Sequence, residues 1–125
     1  MQTDDKQATR QTLLDGLAQQ IGSEAVFRHW SRRLAYTQGV RYLAEQAGAY
    51  WLIDLIASWC IDPRIQANEF VHWKLTVNAD RTAVAIADDG NGKEILRQTI
   101  PFTDFPLDEI SLYLTDRTLL LPSEY

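Results

Sequence analysis

The chain has 125 residues, 46% of them hydrophobic, and a formal net charge of −5. That is one domain of ordinary size, able to bury roughly two thirds of the surface its unfolded chain exposes. The acidity opposes non-specific attachment to nucleic acid or an anionic membrane, since counterion release needs clustered Lys and Arg. A single cysteine, Cys60, excludes an internal disulfide and a cysteine-based zinc site. The N-terminal stretch MQTDDKQATR is polar and acidic where a secretory leader is basic and then apolar. No apolar run approaches the roughly 20 residues of a membrane span, so a soluble, cytoplasmic protein is expected.

Asp4 or Asp5 is placed to cap a first helix reaching about Ile21, with Leu14, Leu17, Ala18 and Ile21 at helical spacing. Gly22-Ser23 punctuates, and Ser23 is a candidate N-cap for a second helix that would put Phe27, Trp30 and Leu34 on one face. Tyr36-Thr37-Gln38-Gly39 reads as a break. Val40, Leu43, Ala44 and Ala47 form the next apolar stripe, which Gly48 ends as a C′ residue. Residues 49–61 are apolar nearly all the way round a helix, with Asp54 the one charge in the middle. Such a helix is expected at the centre of the fold. Asp62-Pro63 stops it.

After Asn68 the apolar period changes from 3.6 to 2. Val71, Trp73, Leu75 and Val77 alternate with His72, Lys74 and Thr76, as in a half-buried strand. Asn78-Ala79-Asp80-Arg81 turns into a second strand through Val84 and Ile86. Asp88-Asp89-Gly90-Asn91-Gly92 turns again, because Gly and Asn tolerate positive φ. A third strand runs from Glu94 to about Phe102, and Ile110, Leu112 and Leu114 alternate after Pro106. Asp116-Arg117-Thr118, which repeats the turn tripeptide Asp80-Arg81-Thr82, precedes the last apolar residues Leu119–Leu121. The pattern predicts a single α+β domain over 1–125. A helical half over 22–61 packs on one face of a four- to five-stranded antiparallel meander over 69–125.

Three blocks carry a resemblance. They are Gly22-Ser23-Glu24 with Phe27-Arg28-His29; Tyr36-Thr37-Gln38-Gly39-Val40-Arg41-Tyr42-Leu43 running into Ala47-Gly48-Ala49-Tyr50-Trp51-Leu52; and the C-terminal half. The last includes Trp73-Lys74-Leu75-Thr76-Val77, Asp88-Asp89-Gly90-Asn91-Gly92, Phe102-Thr103-Asp104-Phe105-Pro106 and Leu121-Pro122-Ser123-Glu124-Tyr125. Over about residues 21–125 the chain resembles a small bacterial "plasmid-related protein" family, a domain of unknown function frequent on plasmids and other mobile elements. The resemblance implies no catalytic roles, and it leaves residues 1–21 as a variable helical extension.

Several constellations could carry chemistry. Tyr50, Asp54 and Ser58 fall at i, i+4 and i+8, where a carboxylate flanked by hydroxyls in an apolar wall could act as a general base or ligand anchor. The plainer reading, which is favoured, makes this line the helix's wet edge or has Asp54 paired with an arginine such as Arg41. His29 and His72 lie in no metal-binding spacing and read as ordinary histidines. Cys60 reads as a small packing residue. Residues 88–92 resemble the start of an EF-hand loop, but Ala87 and Gln98 occupy the end ligand positions, which favours a hairpin turn. Arg28, Arg32 and Arg33, with Arg41 nearby and Trp30 among them, form the one basic patch.

P-loop, nucleophile-elbow, zinc and dinucleotide fingerprints are all missing. The expectation is a non-enzymatic interaction or accessory protein of a plasmid or mobile element, without metal or cofactor. Its contact residues would be Arg28, Arg32 and Arg33. The partner is expected to be a protein, neither nucleic acid nor membrane, with a homodimer as an alternative. Two rival readings are a small enzyme or ligand-binding protein using Asp54 with Tyr50 and Ser58, and an acidic decoy that mimics DNA.

Overall fold

The computed structural model describes residues 2–19 and 25–125, with side chains for 10–19 and 25–125. Helix α1 runs over Gln2–Ala18, so it begins upstream of Asp4 and Asp5. Among its described side chains, Leu13 and Leu17 are buried, whereas Leu14 is exposed. Ile21 and Ser23 lie outside the described residues.

The expected second helix is corrected. Val26–Arg28 is strand β1, paired antiparallel with β2, Ala35–Thr37. The turn between them is closed by His29 N–H to the Leu34 carbonyl and Arg32 N–H to the His29 carbonyl, both 2.9 Å. Phe27, Trp30 and Leu34 sit three and four residues apart, but a hairpin with a wide turn places them there. Their backbone groups find partners in a sheet, which overrides a short helical pattern.

Thr37 then caps α2, Gln38–Ala47, accepting from Val40 N–H. Gly48 ends it in the left-handed conformation, φ 61°, as the sequence predicts. Helix α3, Tyr50–Trp59, buries Leu52, Ile53, Ile56 and Ala57. It is not wrapped on all sides: Tyr50, Asp54 and Ser58 form an exposed edge, and the Asp54 side chain is 53% exposed. Asp62 caps a short α4, Pro63–Gln66, with Pro63 at its first turn.

The sheet has seven strands in the order β1-β2-β7-β6-β3-β4-β5, where β3 is Phe70–Val77, β4 Ala83–Asp88, β5 Glu94–Ile100, β6 Glu109–Thr115 and β7 Thr118–Leu120. It is mixed, because β2 pairs parallel with β7. The α+β class holds; the four- to five-stranded antiparallel meander does not. Strand β6 pairs with β3 instead of β5, so the 101–108 segment must carry the chain back past the β3–β4 hairpin. Arg81, on that hairpin's turn, grips the crossing segment. Its Nε donates to the Thr103 carbonyl (3.0 Å) and its guanidinium to the Phe105 carbonyl (2.6 Å), while the Arg81 carbonyl accepts Thr103 N–H. Phe105 is fully buried beside it.

Alternation along β3 separates two faces. Val71, Trp73, Leu75 and Val77, with Ala83, Ala85, Ala87, Leu112 and Leu114, meet the helices in one core. Trp59 ties α3 to this layer through its indole N–H to Gln98 Oε1, 2.7 Å. Phe70, His72 and Lys74 alternate onto the other face and stay partly accessible, as an antiparallel sheet allows.

Candidate functional site: an arginine cleft between two turns

Two turns meet at one end of the sheet. The β1–β2 turn brings Arg32 and Arg33. The β6–β7 turn is the two residues Asp116 and Arg117, flanked by the pair Thr115 and Thr118. Because β2 runs alongside β7, Ala35 N–H reaches the Arg117 carbonyl at 2.8 Å and the turns become neighbours. Between them and the end of α3 lies a cleft of about 520 Å³ whose lining includes Arg32, Arg33, Arg117, Asp116, Glu69 and Cys60 with Ile61.

The backbone here is unusual. Among the described residues, four non-glycine residues have positive φ, and three of them border the cleft: Arg32 (64°), Asp116 (49°) and Arg117 (57°). A two-residue hairpin turn with both φ positive favours Asn-Gly or Asp-Gly, because a β-carbon is crowded in that region. Arginine stands where glycine would be less strained. Such strain gathers at functional sites.

The charges are available. Among the described residues, no ion pair joins Arg32, Arg33 or Arg117 to a carboxylate, although five Arg or Lys ion pairs form elsewhere. Asp116 and Glu69 border the cleft without forming one. Arg33 and Arg117 act instead on the Cys60 thiol, whose pKa burial pushes up and the two guanidinium groups partly pull back. Cys60 donates to the Ile56 carbonyl at 3.4 Å, the place of a packing residue.

A polar latch holds the first turn. His29 is buried, and its Nε2 lies 2.6 Å from Asp54 Oδ1. Ser31 N–H donates to Nδ1, so Nε2 carries the proton and donates to Asp54. Ser31 Oγ also lies 2.7 Å from Nδ1. Trp30 adds its indole N–H to Asp54 Oδ1 at 3.2 Å. The partner of Asp54 is therefore His29; Arg41 bonds Glu45 and lies over the Phe27 ring.

The sequence-predicted residues separate as follows. Arg32 and Arg33 line the cleft, while Arg28 is exposed on β1 outside its wall. Tyr50 donates to Glu45 and Ser58 to the Leu55 carbonyl, so no hydrogen bond unites either with Asp54. The Asp88 and Asp89 carboxylates accept backbone N–H groups of their own turn, from Gly90, Asn91 and Lys93. Among the described residues, no group of three or more His, Cys, Asp or Glu is placed to hold a metal. Nor is any described helix long and apolar enough to cross a membrane. The reading of isolated residues missed Arg117, because only the parallel pairing of β2 with β7 brings it to the other two.

A family model matches residues 11–125. The chain belongs to DUF6876, a family of unknown function. The match begins inside α1. No curated protein and no solved structure matches the chain.

Proposed function

We propose that this DUF6876 protein works by binding, and that the arginine cleft receives an acidic segment of a partner protein. The observation that carries the reading is the convergence of Arg32, Arg33 and Arg117 on one cleft with no carboxylate among the described residues bound to any of them. A guanidinium fork matches a carboxylate in two parallel hydrogen bonds, so three forks around one cleft suit a run of acidic side chains. Apolar anchors stand close by. Trp30, two residues before Arg32, is 80% exposed, and Ile61 on the cleft wall is 59% exposed. Tryptophan and arginine are the residue types that dominate binding energy at protein interfaces. Burial raises the pKa of the Cys60 thiol on the cleft wall, which disfavours the thiolate that covalent chemistry would need. Service to a plasmid or other mobile element rests on the sequence resemblance, not on this geometry.

Titration calorimetry with an oligoglutamate peptide, at low and high salt, tests the proposal. The wild-type chain should bind, more weakly as salt screens the charges. Replacing all three arginines by alanine should abolish the heat. An unchanged isotherm in the triple variant would sink the reading.

A further inference from the structure

The outer face of the sheet carries a second constellation, which shares no lining residue with the cleft and is independent of the binding role. His72 on β3 lies in register with Asp88 on β4 and with Tyr113 on β6, and the next residue along the same face, Lys74, lies in register with Ser111. Residues paired this way stand about 4.5–5.5 Å apart at their β-carbons, and diagonal neighbours remain within reach. His72 Nδ1 is 3.1 Å from Asp88 Oδ2, and His72 Nε2 is 2.8 Å from Ser111 Oγ. The other Asp88 oxygen accepts Gly90 N–H at 2.7 Å, which fixes the carboxylate's orientation. An ionised carboxylate only accepts, so Nδ1 carries the proton and Nε2 is left to accept from the Ser111 hydroxyl. That is the polarity a base needs to draw a proton from a nucleophile.

His29 shows the opposite arrangement. Its carboxylate sits on Nε2, and its neighbouring hydroxyl accepts Arg33 N–H within the same turn, as suits a structural latch. His72 is different in a second way, since it borders an open hollow on the sheet's outer face. About 390 Å³ lies among Phe70, His72, Asn91, Tyr113 and Tyr125, over the 89–91 turn. The Phe70, Tyr113 and Tyr125 rings pack on one another with centroids 5.0–5.5 Å apart. Gly90, at φ 85°, belongs to the wall because a β-carbon there would come within 2.8 Å of the Phe70 ring. Aromatic walls and a few convergent polar groups describe a small-molecule site.

The geometry points to Ser111 as a nucleophile toward small carboxylic esters, with His72 as its base, Asp88 as the residue that positions the imidazole, and the aromatic hollow as the seat of a flat apolar group. In the first half-reaction Ser111 Oγ bonds to the acyl carbon while His72 Nε2 takes its proton. The bond from acyl carbon to alcohol oxygen then breaks, and the proton passes from His72 to the departing oxygen. Water next gives a proton to His72 as its oxygen joins the acyl carbon, and release of the acid returns the proton to Ser111. Ester and water give acid and alcohol, and nothing else is consumed. Lys74, directly across from Ser111, brings a positive charge to the face where the oxyanion develops, though it also pairs with Glu109 at 3.3 Å.

Two probes test this on the full chain: p-nitrophenyl acetate as substrate and a fluorophosphonate as trap, with the labelled peptide read by mass spectrometry. The wild-type protein should hydrolyse the ester above the buffer rate and carry the label on Ser111. Ser111→Ala should lose both while keeping its melting temperature. Asp88→Asn should lower the rate at least about tenfold, because the imidazole can then settle in the wrong tautomer. No label on the wild-type chain, a label on another residue, or undiminished hydrolysis by Ser111→Ala would overturn the assignment. If Ser111→Ala fails to fold, the labelled position in the wild-type chain decides alone.

Discussion

The tripeptide Asp-Arg-Thr occurs twice, at 80–82 and 116–118, each time in a turn between strands and each time with its arginine at positive φ. The two arginines do different work. Arg81 donates to the Thr103 and Phe105 carbonyls and holds the segment that takes the chain from β5 back to β6. Arg117 has no carboxylate partner among the described residues and lines the cleft. Local sequence sets the turn, but what each arginine does depends on what the sheet order brings alongside. A crossing segment passes the first turn, and a parallel neighbour with two more arginines flanks the second.

That comparison can be broken at the first turn. Arg81→Ala should lower stability in urea unfolding by about 2–3 kcal/mol, because two carbonyls lose a charged donor. A variant as stable as the wild type would remove Arg81 from its structural role. The second turn should respond the other way round. Arg117→Ala and Arg33→Ala should each weaken oligoglutamate binding about tenfold. Their stability should stay within about 0.5 kcal/mol of the wild type, as for surface positions without engaged partners. Calorimetry and urea unfolding on the same samples check both halves.

A smaller effect sharpens the picture at the latch. Asp54→Ala leaves the buried His29 N–H without its acceptor and should cost about 1 kcal/mol, with weaker peptide binding because the Arg32–Arg33 turn loses its tether. Asp54→Asn keeps an acceptor oxygen and should lie between wild type and alanine in both measurements. The smallest effect concerns acid. Hydrogen bonds from the Thr82 hydroxyl and N–H hold Asp80, and N–H groups of Asn91 and Lys93 hold Asp89, below the usual carboxylate range. A carboxyl whose pKa is lower folded than unfolded stabilises the fold above its unfolded value, and that contribution fades as pH falls through the folded one. Asp89→Asn should therefore flatten the acid side of a stability–pH profile, leaving the neutral side parallel to that of the wild type.

Much of the fold is legible in the residues. The alternation over 71–77, the Gly48 stop and the 88–92 turn all rest on patterns of nearest neighbours, and each is present, as is a helix, Tyr50–Trp59, within the expected 49–61. What escapes such reading is pairing at a distance. A three-residue strand such as Val26–Arg28 has too few positions to show a period of two, so a coincidental helical spacing outweighs it. Strand order depends on the 101–108 crossing, which Arg81 holds through contacts no local pattern announces. The helix over 49–61 reads as shielded on every side, yet α3 leaves the narrow edge of Tyr50, Asp54 and Ser58 to water, the wet edge that the residue pattern also allows. Arg32 and Arg33 are visible as a patch from the start. Arg117, and the line Ser111–His72–Asp88, come into view only with the register of strands far apart in the chain.

Glycine at the two turn positions makes the most direct test. With Arg81→Gly and Arg117→Gly compared side by side, both variants relieve the left-handed backbone, a gain of up to about 1 kcal/mol. Arg81→Gly should nonetheless unfold at lower urea than the wild type and keep its affinity for oligoglutamate. Arg117→Gly should unfold at equal or higher urea and bind oligoglutamate about tenfold more weakly. Equal destabilisation of the two variants, or full peptide binding by Arg117→Gly, would contradict the division of labour between the two turns.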